Sequence, residues 1–94
     1  MKNYLVIGLG KFGKTIAKTL YENGNTVLAI DTSQELVQQV LDEGIVEDAI
    51  VIDATDENAL QNIVKDSFDT AFVCIGTDIQ SSILITVTLK ELGI

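Results

Sequence analysis

Apolar residues in this chain fall into four short runs, each followed by a stretch with helical spacing. Leu5 to Ile7 are consecutive, as are Val27 to Ile30, Ala49 to Ile52 and Ala71 to Ile75. Short unbroken runs of this kind suit parallel strands buried on both faces. After the first run, Phe12, Ile16, Ala17, Leu20 and Tyr21 share one helical face. After the second, Leu36, Val37, Val40 and Leu41 turn inward, and after the third Leu60, Ile63 and Val64 do so.

Local stop and start signals set the boundaries. The first strand is expected at about Tyr4–Gly8 and the first helix at about Lys11–Asn23, stopped by Gly24. The second strand is Val27–Asp31. Thr32-Ser33-Gln34-Glu35 then reads as a capping box, with Thr32 as N-cap and Glu35 at N3, and that helix stops at Gly44. The third strand is Ala49–Asp53, with a helix after Thr55-Asp56. The fourth strand is Thr70–Ile75, ending at Gly76. A further capping-box pattern, Thr77-Asp78-Ile79-Gln80, opens a helix that ends at Gly93. Proline is absent, and no linker, repeat or low-complexity tract interrupts the alternation.

Strand and helix alternating with short connections imply a parallel sheet with right-handed crossovers. The expected fold class is α/β: a Rossmann-like three-layer domain with strand order 3-2-1-4. Residues 1–94 are read as one nucleotide-binding domain, incomplete because the fold would continue into a fifth strand. The last helix is apolar on two sides. Ile83, Leu84 and Val87 fall on one, and Ile85, Leu89 and Leu92 on another. That exceeds what one face of a sheet needs. Either further chain covers it or a second subunit does, with Ile79 and Ile83 as candidate contacts.

The first strand runs into Gly8-Leu9-Gly10-Lys11-Phe12-Gly13, a G-x-G-x-x-G motif in a strand–turn–helix setting. Gly8 permits the tight turn, Gly10 lets a pyrophosphate approach the backbone, and Gly13 lets the helix pack close to the strand. The anion would rest on free N–H groups at the positive end of the helix.

Charge narrows the ligand and the partners. The chain has 94 residues, 6 basic and 14 acidic, no histidine and a net charge of -8. All the basic residues are lysine. A nucleic-acid footprint is basic, so nucleic acid is excluded as a partner. An anionic membrane surface is disfavoured for the same reason. The apolar runs are too short to span a bilayer, so no direct membrane insertion is expected. Met1-Lys2-Asn3 leads straight into the first strand, so no signal peptide is expected. Cys74 has no internal partner, which fits a reducing cytoplasm.

Asp31 ends the second strand at about the spacing from the glycines at which an acidic residue takes the ribose hydroxyls. It would repel a 2′-phosphate, and no arginine is present to reverse that preference. NAD(H) or another adenine nucleotide is therefore favoured over NADP(H). The competing role for Asp31 is to help start the next helix, beside Thr32. Lys11, just past Gly10, is placed either to reach a phosphate or simply as a solvated lysine, and Lys14 has the same two options. Asp53-Ala54-Thr55 closes the third strand on the ligand edge, where Ala54 leaves space for a flat ring; helix capping there is compatible with binding. Ile75-Gly76-Thr77-Asp78 closes the fourth strand on the same edge. Cys74 reads as a small buried hydrophobe. No metal-ligand spacing and no Ser–His or Cys–His pair is present, so no catalytic residue and no metal site are expected.

Four segments together resemble the RCK N-terminal, or TrkA-N, domain of Trk/Ktr-type potassium transport regulatory subunits. They are Val6–Gly13, Val27–Asp31, Asp53–Thr55 and Ile75–Ser82. The resemblance implies a nucleotide sensor and not an enzyme. Such domains bind ATP, ADP or NAD(H), form dimers that assemble into a ring, and act on a membrane-embedded potassium channel or transporter subunit from the cytoplasmic side. By motif position, Gly8, Leu9, Gly10, Lys11, Phe12 and Gly13 would hold phosphates. Asp31 and Thr32 would hold the ribose, and Asp53, Ala54 and Thr55 would frame the adenosine. Ile75, Gly76 and Thr77 would line the far side. Lys11 stands where Ktr-type members often have arginine, and lysine keeps the charge but loses the bidentate fork. The alternative reading is the cofactor domain of an NAD-dependent dehydrogenase. A weaker third, an NAD-linked transcriptional sensor, lacks any basic surface for DNA.

Overall fold

The computed structural model describes residues 1–65 and 68–94. Its elements alternate as expected: β1 Asn3–Ile7, α1 Lys11–Glu22, β2 Thr26–Asp31, α2 Gln34–Asp42, β3 Asp48–Val51, α3 Glu57–Val64, β4 Thr70–Val73 and α4 Ile79–Glu91. The strands form one parallel sheet in the order β3-β2-β1-β4.

Period-two alternation sorts the core onto two faces. Val6 of β1 and Val27 and Ala29 of β2 join Ala17 of α1 and Val37 and Val40 of α2. Leu5, Ile7 and Ile30 point the other way, onto Leu60 and Val64 of α3 and Ile85 and Leu89 of α4. Helices on both sides complete the three-layer Rossmann-like arrangement. The central strands β1 and β2 supply the most deeply buried positions, whereas Ile50 and Val51 on the edge strand β3 are 38% and 47% exposed.

Several boundaries differ from the sequence reading, each for a local reason. Gly8 lies outside β1 because its φ of +101° breaks the extended backbone. Strands β3 and β4 end at Val51 and Val73, so Asp53 and Ile75 belong to the loops beyond them. The N-cap of α2 is Ser33, not Thr32. The Ser33 hydroxyl accepts the Leu36 N–H at 3.2 Å, and the Ser33 N–H is itself held by Asp31. The N-cap of α4 is Asp78, not Thr77, because the Asp78 carboxylate accepts the Ser81 N–H at 3.0 Å. Phe12 is not on the buried face of α1 but 76% exposed. The helix approaches the sheet through Gly13 and Ala17, which leaves no depth for a ring one position earlier.

Candidate functional site

The turn after β1 is built from glycines with separate duties. A side chain at Gly8 would collide with the Cys74 carbonyl, and one at Gly13 with the carbonyl of Gly8. Gly10 differs from both: nothing lies within 4 Å of where its Cβ would stand. Gly10 is also the N-cap of α1 and provides no side-chain hydrogen bond. The other three helices begin with capping side chains, from Ser33, Asp56 and Asp78. α1 therefore starts without a side-chain cap and beside open space at Gly10, an arrangement suited to an anion.

Next to this turn, a cavity of about 330 Å³ opens at the carboxyl edge of the sheet. Its floor is apolar, from Ile7, Ile30, Ile52 and Ile85, and its rim carries Asp31, Thr32, Asp53, Ala54 and Thr55. Ile75, Asp78 and Ser81 form the wall on the α4 side. A second hollow of about 590 Å³ lies over the glycine turn, bounded by Gly10, Lys11, Phe12, Cys74 and Gly76. Gly8, Asp31, Thr32 and Ile75 border both, so the two adjoin along the turn. The position is the switch point where strand order reverses between β1 and β4, the usual ligand crevice of open α/β sheets.

Asp31 stands at the junction. Its Oδ2 accepts the Leu9 N–H at 2.7 Å, and its Oδ1 accepts the Ser33 N–H at 2.8 Å. Asp53 accepts both the hydroxyl and the N–H of Thr55, at 2.6 and 2.9 Å. The hydroxyl bond, and then the backbone one, hold its carboxyl below the ordinary carboxylate value. Asp78 is lowered in the same way, first by the Ser81 N–H and then by the Ser81 hydroxyl at 2.8 Å. The rim is thus anionic and rich in acceptors. Burial pushes the Cys74 thiol above its ordinary value, which favours its protonated form.

Of the fourteen residues given a binding role by motif position, eleven border the two openings: Gly8, Gly10, Lys11, Phe12, Asp31, Thr32, Asp53, Ala54, Thr55, Ile75 and Gly76. Three do not. Leu9 is buried and its N–H is taken by Asp31. Gly13 lies beneath the turn, against Gly8. Thr77 borders neither opening and uses its carbonyl on the Ile79 N–H. Lys14 is committed to Glu43 at 3.2 Å across α1 and α2. Ser81 was not singled out for the site, although its spacing from Asp78 is an N-cap signature of the kind that marks a helix start at a ligand edge. The floor isoleucines carry no signal of their own beyond ordinary core positions. Among the described residues no group of acidic, histidine or cysteine side chains has metal-binding geometry. No helix among them is long and apolar enough to cross a membrane.

Comparison with known proteins follows the same lines. The family model described as TrkA-N domain matches residues 4–93. Ktr system potassium uptake protein C of Bacillus subtilis is 44% identical over 93 residues, covering 99% of this chain and 41% of that protein. Ktr system potassium uptake protein A of Vibrio alginolyticus is 38% identical with the same coverage of each. The chain thus spans about two fifths of the length of these relatives. Among solved structures, the NAD(P)-binding domain of an exopolyphosphatase-related protein from Archaeoglobus fulgidus superposes with a TM-score of 0.84 at 28% identity. That match covers 99% of this chain and 68% of the other.

Proposed function

The chain belongs to the TrkA-N domain family, and on that premise we propose that it is a nucleotide-sensing regulatory module of a potassium uptake system. The observation that carries the reading is the open backbone at Gly10, next to a cavity whose rim is Asp31 and Asp53. Phosphates would lie on the uncapped start of α1, with Lys11 at the edge of the hollow. The ribose would meet the free lone pairs of Asp31, and the base would lie over Ala54. A 2′-phosphate would face the Asp31 carboxylate, so NAD(H), ATP or ADP fits and NADP(H) does not.

In this reading the module is a sensor and not a catalyst. The rim carboxylates of Asp53 and Asp78 are held ionised, which suits accepting hydrogen bonds from a ligand and not donating protons to one. The relatives' names, as potassium uptake proteins, support a membrane-embedded transporter subunit as partner and a cytoplasmic position beside it. A second copy of the chain would cover the exposed side of α4. Titration calorimetry with ADP, ATP and NADH tests the core of the proposal. Heat with at least one of them and a clearly weaker response to NADPH is the expected result, and no heat with any adenine nucleotide would overturn it.

A further inference from the structure

We propose, resting on the nucleotide reading of the cleft, that Asp31 is a positioning residue. Its carboxylate sets the shape of the glycine turn before any ligand arrives, in addition to whatever it does for a ribose. The turn is fastened to β2 at two successive N–H groups. Gly8 donates to the Ile30 carbonyl at 2.8 Å, and Leu9 donates to Asp31 Oδ2 at 2.7 Å. The next residue, Gly10, is exposed and has open space where its side chain would be. Asp31 therefore clamps the last fixed peptide before the anion-facing segment begins. The Leu9 N–H is also consumed within the protein, so a phosphate has to be met from Gly10 onward.

The second carboxylate oxygen ties the clamp to a different element. Oδ1 accepts the Ser33 N–H at 2.8 Å, and Ser33 in turn caps α2 through the Leu36 N–H at 3.2 Å. One side chain thus joins the phosphate turn to the start of α2. Both oxygens are in use, yet each keeps a further lone pair for a ribose hydroxyl. Asparagine at this position offers one acceptor oxygen, and its amide would present N–H to N–H at the other contact. Asp31→Asn therefore keeps one arm of the clamp, at Leu9 or at Ser33, whereas Asp31→Ala removes both.

The test separates clamping from ribose recognition. In the protein without ligand, amide hydrogen exchange read by NMR should show the Leu9 N–H of Asp31→Ala exchanging roughly tenfold faster or more, the loss expected of a charge-assisted hydrogen bond. Ser33→Ala, which keeps Asp31 and the residue-33 N–H, should leave the Leu9 rate unchanged. Inorganic triphosphate has no ribose, and by calorimetry its affinity should fall roughly tenfold in Asp31→Ala. An unchanged Leu9 rate overturns the clamp. An unchanged triphosphate affinity restricts Asp31 to the ribose and overturns the positioning role. If the wild-type protein takes up none of ADP, ATP and NADH, the nucleotide reading itself falls. The exchange rates, which need no ligand, still report whether Asp31 holds the turn.

Discussion

Gly13 rests directly on the carbonyl oxygen of Gly8, so α1 meets the turn that precedes it with no side chain between them. Beyond the Gly8 carbonyl, a Cβ at position 13 would also meet Cys74 Cβ at 3.2 Å, so the space is closed on the β4 side as well. Gly13→Ala must push α1 away from the sheet or deform the turn. Overpacking of this kind costs about 1–3 kcal/mol. Urea unfolding should show a loss in that range with an unchanged denaturant slope, and a variant as stable as wild type would contradict the close approach.

Gly10→Ala should behave in the opposite way. Gly10 has a φ of -64°, which any residue adopts, and an added methyl would meet nothing. Alanine is a poorer N-cap than glycine, so a loss of less than about 1 kcal/mol in stability is expected. The methyl would, however, stand where a phosphate is proposed to approach the backbone. Nucleotide affinity measured by calorimetry should drop about tenfold or more while the urea midpoint barely moves. Comparing the two glycine variants separates the residue that packs from the residue that faces ligand.

The sequence was most legible where sterics leave one choice. Gly8 and Gly13 are fixed by collisions that any side chain would cause, so motif, strand order and crevice could be read together. Patterning leaves a one-residue ambiguity where two neighbouring polar side chains compete for the same duty. Thr32 and Ser33 are both good N-caps, and the choice fell to Ser33 because Asp31 already holds its N–H. Thr77 and Asp78 repeat the pattern, with Asp78 cap to Ser81. Phe12 was misplaced because helical periodicity alone does not reveal that α1 touches the sheet through its smallest residues. The α4 wall of the cavity was partly hidden for a different reason. Ser81 and Ile85 reach the site only through tertiary packing of α4, which meets the sheet at β4 and which local patterning does not encode.

Acid should act on the rim in a defined direction. Asp53 and Asp78 both have carboxyls lowered by hydrogen bonds from Thr55 and Ser81. A group whose folded-state value lies below its unfolded value adds stability above the unfolded value and loses it as pH falls through the folded one. Their contribution should therefore be constant from neutral pH down to about pH 5 and be lost progressively below about pH 4, as pH falls through the lowered folded-state values. Carboxyl-carbon NMR titration should place both midpoints below that of free aspartate. Thr55→Val removes the largest cause at Asp53 and should move that midpoint upward, leaving Asp78 where it is. An unmoved Asp53 midpoint would mean that the hydroxyl contact is not held in solution.

The outer side of α4 gives the last prediction. Ile79, Ile83 and Val87 recur every four residues and are 69%, 59% and 48% exposed, and Leu84 beside them is 43% exposed. The opposite side of the same helix is already buried through Ile85 and Leu89. Residues spaced by four form one continuous ridge, the surface with which helices pack against one another. In water, an apolar ridge of this length gains by pairing with a second copy. Sedimentation of the wild-type protein should show a dimer or larger species. Ile83→Glu puts a charge in the middle of the ridge and should shift the population to monomer. Because Ile83 contributes little to the core, the monomer's unfolding midpoint in urea should change by no more than about 0.5 kcal/mol in stability, as for an ordinary surface substitution. Unaltered association of Ile83→Glu would mean that the copies meet through another surface.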